Sequence, residues 1–481
     1  MLLQFLNNFT ASYNKQISHL SKRVIIMPNS YKEAIDTLNK LQSNIEYIKH
    51  AKIKNNQENN MLEMRKFLNR SGITLEQLDT LPVIHIAGTN GKGTTCSYCE
   101  QILRNHGYKT GFYSSPHLLE VRERIRLNGV PISKEKFSEH FWKIFDMLDK
   151  EKVAPYDMPL YFRFLTLLAW DIFLTEKVDV AILEVGIGGE YDCTNLVRKT
   201  LVAGITPLDI DHTALLGNSI ESIAWNKAGI MKKGAKVFTA PQPLRALDVL
   251  KKKSLERDCS LDVIEDLYID DQNNSRIPQH IQKTNASLAL SVSKAFMEIC
   301  PKSNNNNVFN LDLAKKSIES TRWPGRYEII SHCNKIFYLD GAHTIESMQV
   351  CSDWFLSKSK DNRVLIFNIT GDRDPVNLLK LLVKCQFTTV IFLPNVGNDN
   401  DRADSDDQIQ PVKLQLERCY KNKEIWMSLD TKSTVKVFPS FVKAAKSLED
   451  DNRLHNVLVT GSIHLIGAAM SVLDPTLGGL L

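Results

Sequence analysis

The residues with the most pointed chemistry fall in one short run. Val83–Ala87 (VIHIA) leads into Gly88-Thr89-Asn90-Gly91-Lys92-Gly93-Thr94-Thr95, and a helical pattern follows. Glycines let a backbone turn tightly and aim amide hydrogens at phosphate oxygens, and a helix N-terminus adds partial positive charge. In such a loop Lys92 neutralises the β- and γ-phosphates of a nucleotide, while Thr94 or Thr95 offers a hydroxyl to Mg2+. The spacing departs from the common phosphate loop, because Gly93 stands between Lys92 and the hydroxyl residue. A glycine-rich turn of no special purpose is the plain alternative. The strand before it and the helix after it favour nucleotide binding.

Three further groups stand at the ends of apolar runs. Glu184 closes VDVAILEV, His212 follows LVAGITPLDID, and Ser115 follows TGFYS. In open parallel sheets ligands collect beyond the carboxyl ends of the strands. Mg2+ prefers oxygen donors, so Glu184 and Ser115 suit it and one histidine is tolerable. Glu184 could instead be a buried carboxylate paired to a lysine, but an unpaired acid ending an apolar strand is costly. His212 taken alone suits a structural histidine equally well.

Positioning these groups takes a covered parallel sheet. Short apolar runs at Val83–Ala87, Thr110–Tyr113, Val178–Val185, Leu201–Thr206 and Lys236–Thr239 alternate with helical stretches such as Thr94–His106 and Tyr161–Thr175. A second series, Ile336–Leu339, Val364–Ile369, Thr389–Leu393 and Val457–Thr460, follows the asparagine run Asn304–Asn307. Strand–helix alternation of this kind gives parallel sheets covered by helices. We therefore expect two α/β domains, residues 31–322 and 323–481, with a cleft between them for a two-substrate site. Asn395–Asp407, polar and acidic, reads as a loop.

Bulk properties exclude some functions. A net charge of +5, from 60 basic and 55 acidic residues, is too small to indicate nucleic-acid binding. No apolar run approaches the roughly 20 residues of a membrane span. Cys96 and Cys99 form a single CxxC with no second pair, so inert helix cysteines are favoured over a zinc site. Residues 1–30 lack any acid and carry Lys15, Lys22 and Arg23, the composition of a mitochondrial presequence or of a disordered tail. Met27 offers a second start, for a cytosolic form.

Longer motifs carry a resemblance. GTNGKGT, SSPHLLEVRERIRLNG (114–129), MPLYFRFLTLLAW (158–170), EVGIGGEYDCTN (184–195), IDHTALLGNSIESIAWNKAGI (210–230), WPGRYE (323–328), LDGAHT (339–344), TGDRDP (370–375) and VLVTGSIHLIG (457–467) occur in order. Together they resemble the folylpolyglutamate synthases of the Mur ligase superfamily, and YFRFLTLLAW with YDCTN resembles the eukaryotic form. The resemblance runs from about Tyr31 to Leu473. It implies an N-terminal phosphate-loop domain, a smaller Rossmann-like C-terminal domain, and ATP-dependent joining of L-glutamate to the glutamate tail of a reduced folate. Ser115 and Glu184 would hold Mg2+ near the nucleotide, Glu184 with His212 would help hold a second ion, and Lys227 of WNKAGI would be a ligand of that second ion as its carbamate; a monovalent cation is also among the expected ions. An ordinary salt bridge is the alternative for Lys227.

The resemblance also implies nucleotide contacts at Asn285, Arg326, Asp340 and His343. The pattern preceding Gln282 and Asn285 is degraded to IPQHI. His117, Arg163, Asp192, Thr194, Ser462 and His464 are the implied folate and glutamate contacts. Arg373 of TGDRDP either shapes the interdomain cleft or belongs to a structural turn. Glu190 and Asp209 depart from the family pattern, which often has arginine or a small residue at the first and glycine at the second. Dihydrofolate synthase, adding the first glutamate to dihydropteroate, is the nearest competing activity; a catalytically silent nucleotide-binding protein is the competitor from another class. A monomer is the family expectation.

Overall fold

A computed structural model describes residues 30–43, 57–154, 157–265, 267, 278–302, 308–370, 373–398, 411–449 and 453–481. The leader expectation, the asparagine run and most of Asn395–Asp407 lie outside them.

β1 (Val83–Ala87) is buried at every position and lies between β5 (Val180–Glu184) and β6 (Val202–Ile205), parallel to both. A parallel strand covered on both faces reads as a continuous apolar run, and VIHIA and VAILE do so. β2 (Thr110–Tyr113) flanks β5; β7 (Lys236–Thr239) and β8 (Ser260–Val263) continue beyond β6. Two short antiparallel strands, β3 (Ile125–Leu127) and β4 (Val130–Pro131), complete the order β4-β3-β2-β5-β1-β6-β7-β8. β3, β4 and β8 carry too few buried residues to stand out as apolar runs.

On one face, α1 (Tyr31–Ser43), α2 (Gln57–Arg70), α4 (Lys134–Lys150) and α5 (Tyr161–Glu176) pack round Trp170, Phe141 and Phe164. α5 is apolar almost all round, as a helix sunk in a core should be. The opposite face carries α3 (Lys92–Asn105), α7 (Gln279–Ile299) and α8 (Leu311–Ser320), packed on Ile84, Ile86 and Ile182. α6 (Ile220–Lys227) lies over the carboxyl end of the sheet and delivers Lys227.

The second sheet has the order β13-β12-β11-β14-β10-β9. β10 (Lys335–Asp340), β11 (Arg363–Phe367), β12 (Thr389–Phe392), β13 (Thr434–Val437) and β14 (His455–Thr460) run parallel; β9 (Glu328–His332) pairs antiparallel to β10. α9 (Ile345–Lys358), α10 (Pro375–Val383) and α11 (Ile463–Leu473) begin just beyond strand ends. The two units meet directly. Leu118 and Leu119, after β2, pack on the second unit's core, and a Cβ at Gly467 of α11 would come within 2.4 Å of the Leu118 carbonyl oxygen.

Candidate active site

The phosphate loop leaves β1 through two conformations that suit glycine. Gly88 has φ 150° and Gly91 φ 87°; a Cβ at Gly88 would overlap the Thr206 hydroxyl, and one at Gly91 would strike Asn285. Gly91 is also the N-cap of α3 and no side chain caps that helix. The opening turn of α3 is therefore presented to the cleft with its positive end uncapped. The amides of Thr89 and Asn90 are spent differently from the expectation. Both donate to the Pro207 carbonyl, at 3.1 and 3.3 Å, and the Thr89 hydroxyl donates to the Asp209 carbonyl at 3.0 Å. These two residues line the cleft but anchor the loop to the segment after β6. Thr95 is corrected as well: it is fully buried, with its hydroxyl 3.4 Å from Asn285, and only Thr94 reaches the cavity.

The cleft is a cavity of about 1050 Å3 with walls from both units. It brings Lys92, Ser115, Glu184, His212, Lys227 and Asn285 together with Arg326, Asp340, His343, Ser462 and His464. Lys92 Nζ donates to the carbonyls of Gly88 and Thr89 at 3.0 and 3.2 Å, and Lys227 Nζ donates to the same Gly88 carbonyl at 2.6 Å. Burial pulls both lysines below the usual range. Lys92 repels Lys227 as well, and Arg326 repels Lys92. Glu184 is buried and accepts one hydrogen bond, from the Ser115 amide at 3.2 Å. Burial raises its carboxyl pKa despite the opposing charges of Lys92 and Arg326.

Asp192 is equally buried yet differently held. Its carboxylate accepts four hydrogen bonds: from the Gly186 and Ile187 amides at 3.1 Å each, the Thr194 amide at 2.9 Å and the Thr194 hydroxyl at 2.5 Å. A saturated carboxylate shapes the loop after β5 and has little capacity left for a ligand. Thr194 does not reach the cavity: it is fully buried behind Asp192 and lies 2.9 Å from His85 Nε2. His117 is also outside the main cavity. It is buried, lines a smaller pocket beside it, and accepts from Arg124 Nε at 3.0 Å. Arg163 faces the cleft with its guanidinium held by Asn60 of α2, whose amide in turn donates to the Tyr191 carbonyl at 2.7 Å.

Across the cleft, Asp340 accepts from the Tyr327 amide at 3.2 Å, and His343 Nδ1 lies 2.8 Å from the Gly341 carbonyl. Burial raises the Asp340 carboxyl, with Arg326 opposing. Ser462 caps α11, accepting from the His464 amide at 3.2 Å.

Sequence reading passed over Asp211, which joins the two units. It sits 3.4 Å from Arg373, 3.6 Å from His343 and 3.5 Å from His212. Burial alone would raise it, but His343 and Arg373 outweigh that and hold its carboxyl well below the usual range. His212, left-handed at φ 52°, is pushed down to about 4, chiefly by burial, and so is neutral at pH 7. Asp211 had a signal, since it directly precedes His212 at a strand end; Asn60, on a distant helix, had none. Cys96 and Cys99 are buried in α3, with thiols raised by burial.

The donors suit a hard divalent cation in part. Glu184, with a single hydrogen bond, and the hydroxyls of Ser115 and Thr94 offer oxygen at one end of the cavity. Neutral His212 can add nitrogen. Lys227 as an ammonium donates a hydrogen bond to the Gly88 carbonyl and cannot ligate a cation.

A phosphate loop facing a second α/β unit across a shared cleft defines a two-domain nucleotide-binding α/β protein of the Mur ligase fold. No family model matches the chain. Mitochondrial folylpolyglutamate synthase of Bos taurus is 43% identical over 434 residues, spanning 83% of this chain and 74% of the relative. The probable folylpolyglutamate synthase of Schizosaccharomyces pombe is 37% identical over 498 residues, spanning 94% and 96%. Among solved structures, E. coli FolC in complex with DHPP and ADP superposes with a TM-score of 0.67 at 26% identity, covering 86% of this chain and 92% of that one. The chain belongs to the folylpolyglutamate synthase family.

Proposed function

We propose that the chain joins L-glutamate to the γ-carboxylate of tetrahydrofolate or its polyglutamates, consuming ATP and releasing ADP and phosphate. The observation that carries this reading is the meeting of Lys92 and Glu184, on the phosphate-loop side, with Arg326 from the other unit. A carboxylate is a poor electrophile, so it must first be activated. The folate γ-carboxylate oxygen attacks the γ-phosphorus; the bond to the β-phosphate oxygen breaks and ADP leaves. The α-amine of glutamate then adds to the acyl carbon and loses a proton, and the carbon–oxygen bond breaks to expel phosphate. Lys92, the α3 N-terminus and Arg326 hold the phosphoryl oxygens as charge redistributes, a positioning and electrostatic task.

Thr94, Ser115 and Glu184 are the residues that would hold Mg2+, which supplies charge neutralisation at the phosphates when bound. His212 belongs to a second cation position. Lys227 joins it only as a carbamate, formed when its depressed, uncharged amine adds to CO2 and gives up a proton. Asn285, Asp340 and His343 face the nucleotide base and ribose. Arg163, held by Asn60, faces the folate, and Ser462 with His464 faces glutamate.

The relatives named mitochondrial support a mitochondrial form of this enzyme, and a cytosolic form starting at Met27 is part of the proposal. The enzyme is proposed to act as a monomer. Incubation with ATP, glutamate and either tetrahydrofolate or dihydropteroate, read by mass, tests the activity. A product one glutamate heavier from tetrahydrofolate, with ADP, is expected; product from dihydropteroate alone would replace this reading with dihydrofolate synthase.

A further inference from the structure

His85 is the one polar residue of β1, and it is fully buried. Its Nε2 lies 2.9 Å from the Thr194 hydroxyl, and that hydroxyl lies 2.5 Å from Asp192. Its Nδ1 is buried without a hydrogen-bond partner. A threonine hydroxyl has one proton. Burial and hydrogen bonding leave Asp192 as an acceptor from four groups, so the Thr194 proton points at Asp192. Thr194 can therefore only accept from His85, and the imidazole must carry its proton on Nε2. The unpartnered Nδ1 is then a lone pair rather than an N–H, which is the less costly orphan of the two.

The chain of bonds leads somewhere specific. Asp192 also holds the amides of Gly186 and Ile187, which follow Glu184 by two and three residues. β1 and β5 are in register with Ile86 opposite Glu184. We propose that His85 is a positioning residue: its Nε2–H fixes the direction of the Thr194 hydroxyl, and through Asp192 fixes the loop that follows Glu184. An imidazole that donates from Nε2 here serves as a fixed donor, not as a proton store. Burial, aided by Lys232, pushes its pKa down to about 3, in keeping with a neutral ring near pH 7.

The test uses geometry that separates the two ring nitrogens. A glutamine side-chain amide reaches the position of Nε2, whereas an asparagine amide reaches that of Nδ1. For the full-length protein we expect His85→Gln to keep kcat within about threefold. His85→Asn and His85→Leu should lose it by at least tenfold, with the KM for ATP changed less than twofold. Thr194→Val should match His85→Leu, and the double variant should be no worse than either. Equal loss in the Gln and Leu variants would overturn the proposal.

The wild-type protein provides a second reading that does not depend on any variant folding. Nitrogen-15 chemical shifts of the His85 ring should report the neutral Nε2–H tautomer, unchanged from pH 5 to pH 9. An Nδ1–H tautomer, or titration in that window, would refute it. The kinetic arm rests on the ligase reading; the tautomer does not, so the two can fail separately.

Discussion

The loop after β5 carries buried carboxylates and the loop after β6 a partly buried one, and the two hold them in opposite ways. Beyond β5, Glu184 and Asp192 are fixed by amides and a hydroxyl of their own domain, and burial raises both carboxyl pKa values. Beyond β6, Asp211 is fixed by side chains that arrive from the other domain, and its carboxyl is driven down. The β5 loop is thus hydrogen-bonded within one domain and leaves Glu184 with one hydrogen bond, from the Ser115 amide, which suits a group awaiting a cation. The β6 loop is complete only when the domains face each other. Removing the Glu184 charge should abolish chemistry; removing the Asp211 charge should weaken the assembly in which chemistry occurs.

The largest effect is expected at the β5 end. Glu184→Gln keeps the shape and removes the charge, and should lower kcat by about 10²–10³-fold or more, the scale of losing a charge-stabilising group in a closed site. Steady-state ADP release with saturating tetrahydrofolate checks it. A loss under tenfold would mean that Glu184 is only a structural acid.

Lys227→Met comes next, and it separates activity from stability. We expect a loss of about 100-fold in kcat on the same scale. A buried lysine whose folded pKa lies below its unfolded value destabilises the fold throughout the range below the unfolded pKa. That penalty is complete below the folded pKa and fades as pH rises towards about 10.4. The variant should therefore melt higher than the parent at pH 7, and the gain should shrink at pH 9 to 10. Calorimetry at several pH values reads this directly; a lower Tm at pH 7 would show that the bond to Gly88 outweighs the buried charge.

The β6 loop should answer more gently. Asp211→Asn loses the attraction to Arg373 and His343, and we expect about a tenfold fall in kcat/KM. The sign with pH is fixed by the lowered carboxyl: its stabilisation is complete above about pH 4 and is lost only as pH falls through the folded value. Between pH 5 and 9 the Asp211 carboxyl does not titrate, so its own protonation adds no pH dependence to the effect of the substitution there. A cycle with Arg373→Ala should give a coupling of about 0.5–3 kcal/mol, as for residues in contact. A coupling near zero would make the two domains independent at this point.

How much of this was legible beforehand follows the same division. The phosphate loop, Glu184 and the parallel strands announce themselves because continuous apolar runs and glycine spacing are local properties. Asn60 does not, and Asp211 does so only through its place beside His212, because what makes them matter is a partner 103 residues away in the first case and 162 in the second. Thr194 and Thr95 were misread in the opposite direction. Both lie in motifs with a chemical flavour, but a motif does not say which of two neighbouring hydroxyls faces the cavity. Helix phase decides it for Thr94 over Thr95. A hydrogen bond to its own neighbour, Asp192, turns Thr194 inward. Asp209, where the family has glycine, is not among the residues with positive φ, so this position makes no demand for glycine here.

Glu190 offers the smallest and sharpest comparison. It lies in the β5 loop but is tied outward, to Arg257 at 2.8 Å and Lys253 at 3.5 Å, with Lys253 in turn 4.4 Å over the Trp225 ring. Its backbone amide, not its side chain, makes the bond to the Asn226 carbonyl that secures the loop over α6, at 2.7 Å. If the loop is set by its backbone, Glu190→Ala should leave kcat within twofold. Stability should fall by no more than about 1 kcal/mol, the worth of a partly exposed ion pair. The neighbours explain why a carboxylate is tolerated here: two cations are already in place to receive it. Arg257→Ala should then be the milder of the two changes in the wild type, and neutral once Glu190 is gone. A tenfold loss of activity in Glu190→Ala would place the β5 loop in the same class as the β6 loop, dependent on side chains reaching in from elsewhere, and would remove the distinction drawn between them.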